Sequence, residues 1–490
     1  MSVQVGSEGE EAAGRVNTVE TLRREIRHAA RGMGRNPGFT LIVLVTLALG
    51  IGATTAIFTM LDGVVLRPLP YAESDRLVWL DSPTPAVKAD APPWGLSVAE
   101  FFYFKKNAYT LQNIGTYQST EVTVAGAQSA ERVPAAVVSA SVFDVLGLRP
   151  ALGRTLMPKD NLRHAAPVTV LGYDYWTQHF NGNTNVIGSV VNIEATPVQI
   201  VGVMQRGASV PDARSQQVDL WIPQGLDPSA QPVNSHYLQA VARLAPGASA
   251  ASAQAELLSF IGRLPDLFPT AYSPSFLKQT GFTVETIPLR THVIGDIAAR
   301  LWVLLGAVAL VLIIACANVA NLFLVRTEGR NREVAIRSAL GAKRGDLAWQ
   351  YLTESMLLAL FAGAVAFSLA FVGLRMMVAL APADLPRLTE IHLGWTSVLF
   401  TVVISVAAGA VFGLLALASA AQPAQDTTIL REGGRGMTSS RRQHFARGVL
   451  VAAQTALALI LLAGAGLMLQ SVRNLRNVSP GFDSTGVLTA

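Results

Sequence analysis

Across 490 residues only 14% are charged and 51% are hydrophobic, and the mean hydropathy is +0.38. Soluble domains average about 25% charged residues, so a wholly soluble globular protein is excluded. The net charge of +5 sits beside particular apolar stretches, which favours a membrane topology signal over a nucleic-acid partner, and the single cysteine, Cys316, excludes an intrachain disulfide or a cysteine metal centre.

The first element, over residues 1–38, reads as an amphipathic helix. Leu22, Ile26, Ala29, Ala30 and Met33 recur at helical spacing among Arg15, Arg23, Arg24, Arg27, Arg31 and Arg35. Such a stripe lies in the cytoplasmic interface and turns into the bilayer at Asn36-Pro37-Gly38, an elbow. A solvated basic leader that only sets topology is the alternative. The first apolar stretch, Phe39–Leu61 within a segment 39–64, is too long and starts too late for a cleavable signal, whose core is about 7 to 15 residues. Its Gly50, Gly52, Ala53, Thr54 and Ala56 form a small-residue face suited to self-association.

Residues 65–295 change character to short alternating segments with turn residues, the pattern of an α+β domain. Strands are predicted at 77–80, 122–124, 133–138, 168–171, 190–193, 198–204 and 238–244, and helices at 98–106, 141–146, 173–180 and 250–264. Ser249 caps the last helix and Gly247 breaks the strand before it. Trp176 and Phe180 face a core, and the remaining acidic and basic residues read as solvated surface. No ligand-like spacing of the seven histidines and no Gly-x-Ser-x-Gly elbow occurs, so no enzyme or metal site is expected.

Residues 296–421 carry three more apolar stretches, Leu301–Val325, Met356–Leu374 and Ser397–Ala421. After a linker over 422–447 a fifth, Val449–Leu469, opens the segment 448–490. Each is close to or above the ~18 apolar residues that span a bilayer as a helix. Arginine-rich segments precede the first stretch, lie between the second and third, and lie between the fourth and fifth, so all three fall on one side if each helix crosses once. The positive side is cytoplasmic. The domain 65–295 therefore faces outward, with the N-terminus inside. Arg473 and Arg476, beyond the fifth stretch, run against this pattern.

In this outer segment Phe143-Asp144-Val145-Leu146-Gly147-Leu148, Val170-Leu171-Gly172-Tyr173, Val186-Ile187-Gly188, Val201-Gly202-Val203-Met204, Asp219-Leu220-Trp221-Ile222-Pro223 and Ala242-Arg243-Leu244-Ala245-Pro246-Gly247 follow one another in order. They resemble the blocks of the periplasmic core domain of MacB-type ABC permeases. Where that family often turns a late hairpin with Asn-Gly, this chain has Glu194-Ala195-Thr196-Pro197. Ala315-Cys316-Ala317-Asn318-Val319-Ala320-Asn321-Leu322 and Arg332 through Arg344, followed by Gln350, Glu354 and Ser355, are similar to the FtsX-like permease domain. The implied fold is an FtsX-like bundle of five membrane helices with a MacB-type α+β domain inserted between the first and second.

The resemblance further implies that a cytoplasmic element after the second helix meets a separate ABC ATPase subunit, with Arg332, Glu333, Arg337, Lys343 and Arg344 as contact candidates. A basic loop touching only lipid headgroups is the bland alternative. Asn318 and Asn321, three apart in the second helix, should face another helix or a wet cavity, as glue more than as a substrate path. Glu354 could snorkel, pair with Arg332 or Arg337, or relay protons; pairing is favoured, since one carboxylate without a series is thin support for a pump.

No Gly-Lys dipeptide, and hence no phosphate-binding loop, occurs, so nucleotide hydrolysis by this polypeptide is not expected and no cofactor is assigned. Asn477–Asp483 and Gly486–Thr489 look like the opening of a second periplasmic domain, so the chain is similar to the first half of duplicated permeases common in acidobacteria. The expected function is a permease moved by a partner ATPase, with export as the outcome and a homodimer or pseudo-dimer as the assembly. A periplasmic or outer-membrane protein is a further expected partner. A non-transporting scaffold regulating a periplasmic or cell-wall hydrolase is the alternative function, and a receptor with no ATPase partner is a third.

Overall fold

The computed structural model describes residues 31, 36–87, 94–125, 130–162, 164–211, 217–227, 234–329, 344–380, 391–420 and 441–476. Two compact units emerge: one spans Gly63–Ala298, the other holds the helices before and after it.

The Gly63–Ala298 unit is built on one sheet of eleven strands. In chain order these are β1 (Leu77–Asp81), β2 (Leu96–Ser97), β3 (Leu111–Ala125), β4 (Ala130–Val138), β5 (Pro150–Gly153), β6 (Val168–Leu171), β7 (Val190–Ile193), β8 (Thr196–Met204), β9 (Leu220–Pro223), β10 (His236–Leu244) and β11 (Glu285–Pro288). The sheet order is β11-β1-β10-β3-β4-β9-β6-β8-β5, with β2 beside β10 and β7 joining β3 to β8. Pairings are antiparallel except β4 with β9 and β6 with β8. This mixed sheet confirms the α+β expectation. Helix positions also agree, whereas β3 begins at Leu111, well before the predicted segment at 122. Its buried run Ile114–Tyr117 includes Gly115 and Thr116, which blur the apolar alternation.

Before the membrane unit resumes, the helices of this unit and its connection are α2 (Val98–Asn107), α3 (Ser141–Leu146), α4 (Tyr173–Phe180), α5 (Ala250–Ile261), α6 (Leu264–Leu267) and α7 (Pro274–Thr280); α1 (Pro37–Leu61) precedes them. Ser97 starts α2 by accepting from the Glu100 backbone N–H while the Glu100 carboxylate accepts from the Ser97 N–H, a reciprocal capping box. Ser249 caps α5 as expected. The α2 and α5 faces cover one side of the sheet, where Phe101, Phe104, Leu238, Leu257 and Leu264 are buried. Each such side chain contributes about 1.5–3 kcal/mol by leaving water. A second core gathers Trp79, Tyr117, Phe143 and Trp221 around α3, and a third gathers Tyr175 and Trp176 of α4 against β8.

Glycine is required at Gly202 in β8, because a Cβ there would lie 2.0 Å from the Arg154 carbonyl oxygen of the neighbouring chain segment. The β7–β8 hairpin closes in two residues, pairing Ile193 with Thr196, with Glu194 at φ 48° and Ala195 at φ 60°. Glu-Ala thus holds the doubly left-handed turn for which Asn-Gly is favoured.

The expectation that charged residues of this unit are solvated is corrected for a set of them. Glu100, Asp81, Glu256, Asp160 and Arg243 are all buried. Glu100, Glu256, Asp160 and Arg243 carry hydrogen bonds that satisfy them: Glu256 accepts from the Tyr109 and Thr110 N–H groups, Asp160 from the Met157 N–H, and Arg243 donates to the Ala72 and Val145 carbonyls.

The helical unit contains α1, α8 (Leu289–Gly329) from Ala299 onward, α9 (Arg344–Leu380), α10 (Trp395–Ala420) and α11 (Arg441–Arg476). Among the described residues, five segments are long and apolar enough to cross a membrane: Pro37–Leu66, Ile297–Phe323, Tyr351–Leu380, Trp395–Leu414 and Val451–Ser471. Helix α8 is interrupted at Gly295 (φ 44°, ψ −139°), a conformation open to glycine alone, before its apolar stretch begins. Val43, Leu47, Ile51, Val319, Phe323, Leu358, Ala362 and Phe412 form the bundle core.

The small-residue face of α1 packs within the chain: a Cβ at Gly50 would sit 3.1 Å from Leu312 and one at Gly52 3.0 Å from the Ala366 carbonyl. Self-association through Gly50 and Gly52 is therefore corrected, because α8 and α9 already fill that face. Helix α11 has no buried residue in its apolar stretch.

Candidate coupling site

At one end of the bundle four helices meet through charge and aromatic contacts. Arg326, on the last turns of α8, places Nη2 2.7 Å from Oε1 of Glu354 on α9, and both side chains are nearly buried. The Arg326 guanidinium also lies over the Phe39 ring of α1, 4.4 Å from its centroid. Phe39 meets Phe323 edge-on at 5.3 Å, and Phe323 stacks on Phe412 of α10 at 5.8 Å. A charge with so little water needs both a counter-charge and a polarisable face, and Arg326 has each.

The pairing of Glu354 is thus observed with Arg326. Arg332 and Arg337, its expected partners, lie outside the described residues, as do Glu333 and Lys343. Arg344 is the first residue of α9. Arg326 and Glu354 bracket the segment 330–343, so the ion pair ties together the two helices from which that segment leaves and returns. No sequence signal links two residues this far apart.

The two asparagines separate. Asn321 is half-buried with its Oδ1 unpartnered among the described residues, while Asn318 is on the exposed side of α8. Deeper along the bundle Ser355 donates to the Gly409 carbonyl at 2.9 Å, a close α9–α10 contact that glycine makes possible. A further feature absent from the sequence reading is a line of hydroxyls between α1 and α10: Thr55 with Thr401 at 3.1 Å and Thr59 with Ser397 at 2.9 Å.

The Gly63–Ala298 unit holds one constellation with the composition of a catalytic set. His236 Nδ1 is 3.0 Å from the Gly95 carbonyl and 3.2 Å from Glu100 Oε2, so it carries the ring proton. The Tyr272 hydroxyl bridges His236 Nε2 at 3.0 Å and Ser97 Oγ at 2.8 Å. Burial pushes the Glu100 carboxyl up to about 7 and the His236 imidazole down to about 4, and it raises Tyr272 well above its usual range. Ser97, Glu100, His236 and Tyr272 are nearly inaccessible, and Ser97 is committed to capping α2. Nucleophilic attack on a substrate has no approach there, so the set acts as a buried polar brace for β2, β10 and α2.

Known proteins match both units. Residues 40–260 match the MacB-like periplasmic core domain and residues 305–424 the FtsX-like permease C-terminal domain. The chain is 28% identical over 293 residues to the macrolide export ATP-binding/permease protein MacB 2 of Aeromonas hydrophila, covering 59% of this chain and 42% of that protein. It is 27% identical over 298 residues to the MacB protein of Hahella chejuensis, covering 60% and 42%. The matched stretch thus spans about four-tenths of the length of these relatives.

Among solved structures, the periplasmic region of MacB from Actinobacillus actinomycetemcomitans aligns at 15% identity over 49% of this chain and 97% of that one, with a TM-score of 0.33. The extracellular domain of the noncanonic ABC-type transporter YknZ from Gram-positive bacteria aligns at 14% identity over 43% and 99%, with a TM-score of 0.31. With both domains matched in chain order, the protein belongs to the MacB/FtsX-type ABC transporter permeases.

Proposed function

We propose that this chain is the permease subunit of an ABC exporter in a bacterial inner membrane, moved by a separate ATPase subunit. The observation that carries the reading is the Arg326–Glu354 pair with Phe39. The segment 330–343, with Arg332, Glu333, Arg337, Lys343 and the adjoining Arg344, is the contact offered to the ATPase. A push there reaches α8 and α9 at once, and through Phe39 it reaches α1. Packed helices transmit such a push as rigid bodies. The positive-inside distribution of arginines supports a cytoplasmic N-terminus and segment 330–343, with residues 65–295 on the periplasmic side.

Two features support assembly as a homodimer or pseudo-dimer: α11 has an unburied apolar stretch, and α8 exposes Trp302, Val303 and Asn318. An exposed asparagine in hydrocarbon finds its hydrogen bonds in another helix. The relatives' names speak of macrolide export and of ATP binding in the same protein; export is the part of that description we carry to this chain.

Purification from native membranes in mild detergent tests the reading. An ATPase subunit should co-purify, and changing Arg337→Glu together with Lys343→Glu should abolish its recovery while the permease still folds. Recovery of this polypeptide alone, repeatedly, overturns the proposal. Nucleotide-dependent changes in a periplasmic hydrolase, with no transport in vesicles, would replace export by the scaffold function.

A further inference from the structure

Arg375 lies within the apolar segment Tyr351–Leu380 of α9, and it is exposed there. Ala366 and Leu369 of α9 abut Gly52 of α1, while Leu352, Met356 and Gly363 abut Gly413, Gly409 and Ser405 of α10. At about 100° per residue, Arg375 stands about 180° round the helix from Ala366 and about 120° from Gly363. It therefore points away from both helices packed along α9; α8 meets α9 near the other end, through Arg326 and Glu354. Phe371, Val372 and Met376 beside it are exposed as well. The Arg375 guanidinium lies over the Phe371 ring, 4.6 Å from its centroid, and no carboxylate pairs with it among the described residues.

Contacts along the bundle set the depth of this charge. Gly52 faces Ala366 in parallel helices, so nine residues further on Arg375 is level with Leu61, the last residue of α1. Gly363 faces Ser405 in antiparallel helices, so twelve residues further on Arg375 is level with Leu393, just before α10 begins at Trp395. The Thr396–Asp62 hydrogen bond, 2.8 Å long, ties those two helix ends together at the same height. Gly50 abuts Leu312 of the antiparallel α8, which puts Leu61 level with Leu301, beside Trp302. Trp302 and Trp395 are both exposed, and exposed tryptophans gather where hydrocarbon meets headgroups. Two helix ends and two tryptophans thus put Arg375 at the inner edge of the headgroup layer.

We propose that Arg375 and Phe371 form a binding site for the phosphate of a membrane phospholipid, in the leaflet at the Leu380 end of α9. A charge facing hydrocarbon reaches for the nearest anion at the interface, and at this height that anion is a lipid phosphate. The guanidinium forks two parallel N–H···O bonds onto phosphate oxygens, while the Phe371 face holds its plane. Exposed Val372 and Met376 give the acyl chains an apolar surface. Phosphatidylglycerol fits better than phosphatidylethanolamine, because the ethanolamine cation competes with Arg375 for the same phosphate.

The inference goes beyond the export reading and rests on the packing of α9 alone, so it holds or fails whether or not an ATPase co-purifies. Native mass spectrometry of the full chain released from native membranes, with the bound lipids identified, tests it. Wild type should retain a phospholipid that Arg375→Gln lacks. Arg375→Lys, which keeps the charge and loses the fork, should hold it severalfold less well. Ser368→Ala, two turns away on the same face, should retain it as wild type does. Adding phosphatidylglycerol to delipidated wild type should raise Tm more than diacylglycerol does, and that difference should vanish in Arg375→Gln. Equal phospholipid retention by wild type and Arg375→Gln overturns the site. So does a Tm gain that inorganic phosphate alone reproduces, and so does an Arg375→Gln variant that loses a dimer and keeps its lipid, which makes the partner a second copy of this chain.

Discussion

Glu100→Gln and His236→Gln should give opposite pH profiles of stability. Below about pH 7 Glu100 keeps its proton, and above about pH 4 His236 is neutral, so the pair holds one proton across that window. A carboxyl raised from 4.5 to about 7 contributes stability that is fully present below 4.5 and is lost as pH rises through 7. An imidazole lowered from 6.5 to about 4 contributes stability that is present above 6.5 and is lost as pH falls through 4. Over most of the window the two slopes cancel. At about 1.36 kcal/mol per pH unit for each group, removing Glu100 lets the variant gain roughly 3 kcal/mol on the wild type between pH 4.5 and 7.

Removing His236 makes the variant lose a similar amount relative to the wild type between pH 4 and 6.5. For a domain of this size that is roughly 10 °C in apparent Tm. The assay is thermal unfolding of the full chain in detergent from pH 4 to 8, plotted as variant minus wild type so that other titrating groups cancel. Difference curves that stay level with pH would refute the buried one-proton pair.

Three further outcomes are expected. Ala195→Gly relieves a left-handed residue in the β7–β8 turn and should raise stability by about 1 kcal/mol, read as a Tm increase of a few degrees. Gly413→Leu forces side-chain atoms into α9 and should cost about 1–3 kcal/mol or more, whereas Gly464→Leu on α11, where nothing lies within 4 Å, should leave detergent thermostability unchanged. Arg326→Leu strands the Glu354 carboxylate and should destabilise by about 3–5 kcal/mol, and combining it with Glu354→Leu should restore most of the loss, as a double-mutant cycle would show.

The membrane helices were legible because a bilayer demands long apolar runs, and composition alone meets that demand. The outer strands and helices were legible where apolar alternation was clean, as at β6 and α4. Reading failed where the deciding contact joins residues distant in the chain. Glu100 was readable as a capping residue from Ser-x-x-Glu, but its burial depends on His236 and Tyr272, which arrive more than a hundred positions later. Arg326 and Glu354 lie on different helices, and their meeting follows from helix packing that no local spacing encodes. The hydroxyl rungs of α1 and α10 had a local signal, repeated Ser and Thr four apart in apolar runs, whose pairing only the bundle reveals.

Strand β1 pairs with β10 and β11, and Leu289 and Val293, the first residues of α8, complete the core around Trp79, on which His292 stacks. The earliest strand of the unit therefore waits for its latest segment during synthesis. Closing so long a loop is entropically slow and leaves apolar strand faces bare on the nascent chain. By the time Val293 has left the ribosome, the apolar run beginning at Ile297 follows within a few residues. Completion of the soluble core and lateral entry of the second apolar helix into lipid are thus nearly simultaneous events in biogenesis, and a delay in one exposes the other to aggregation.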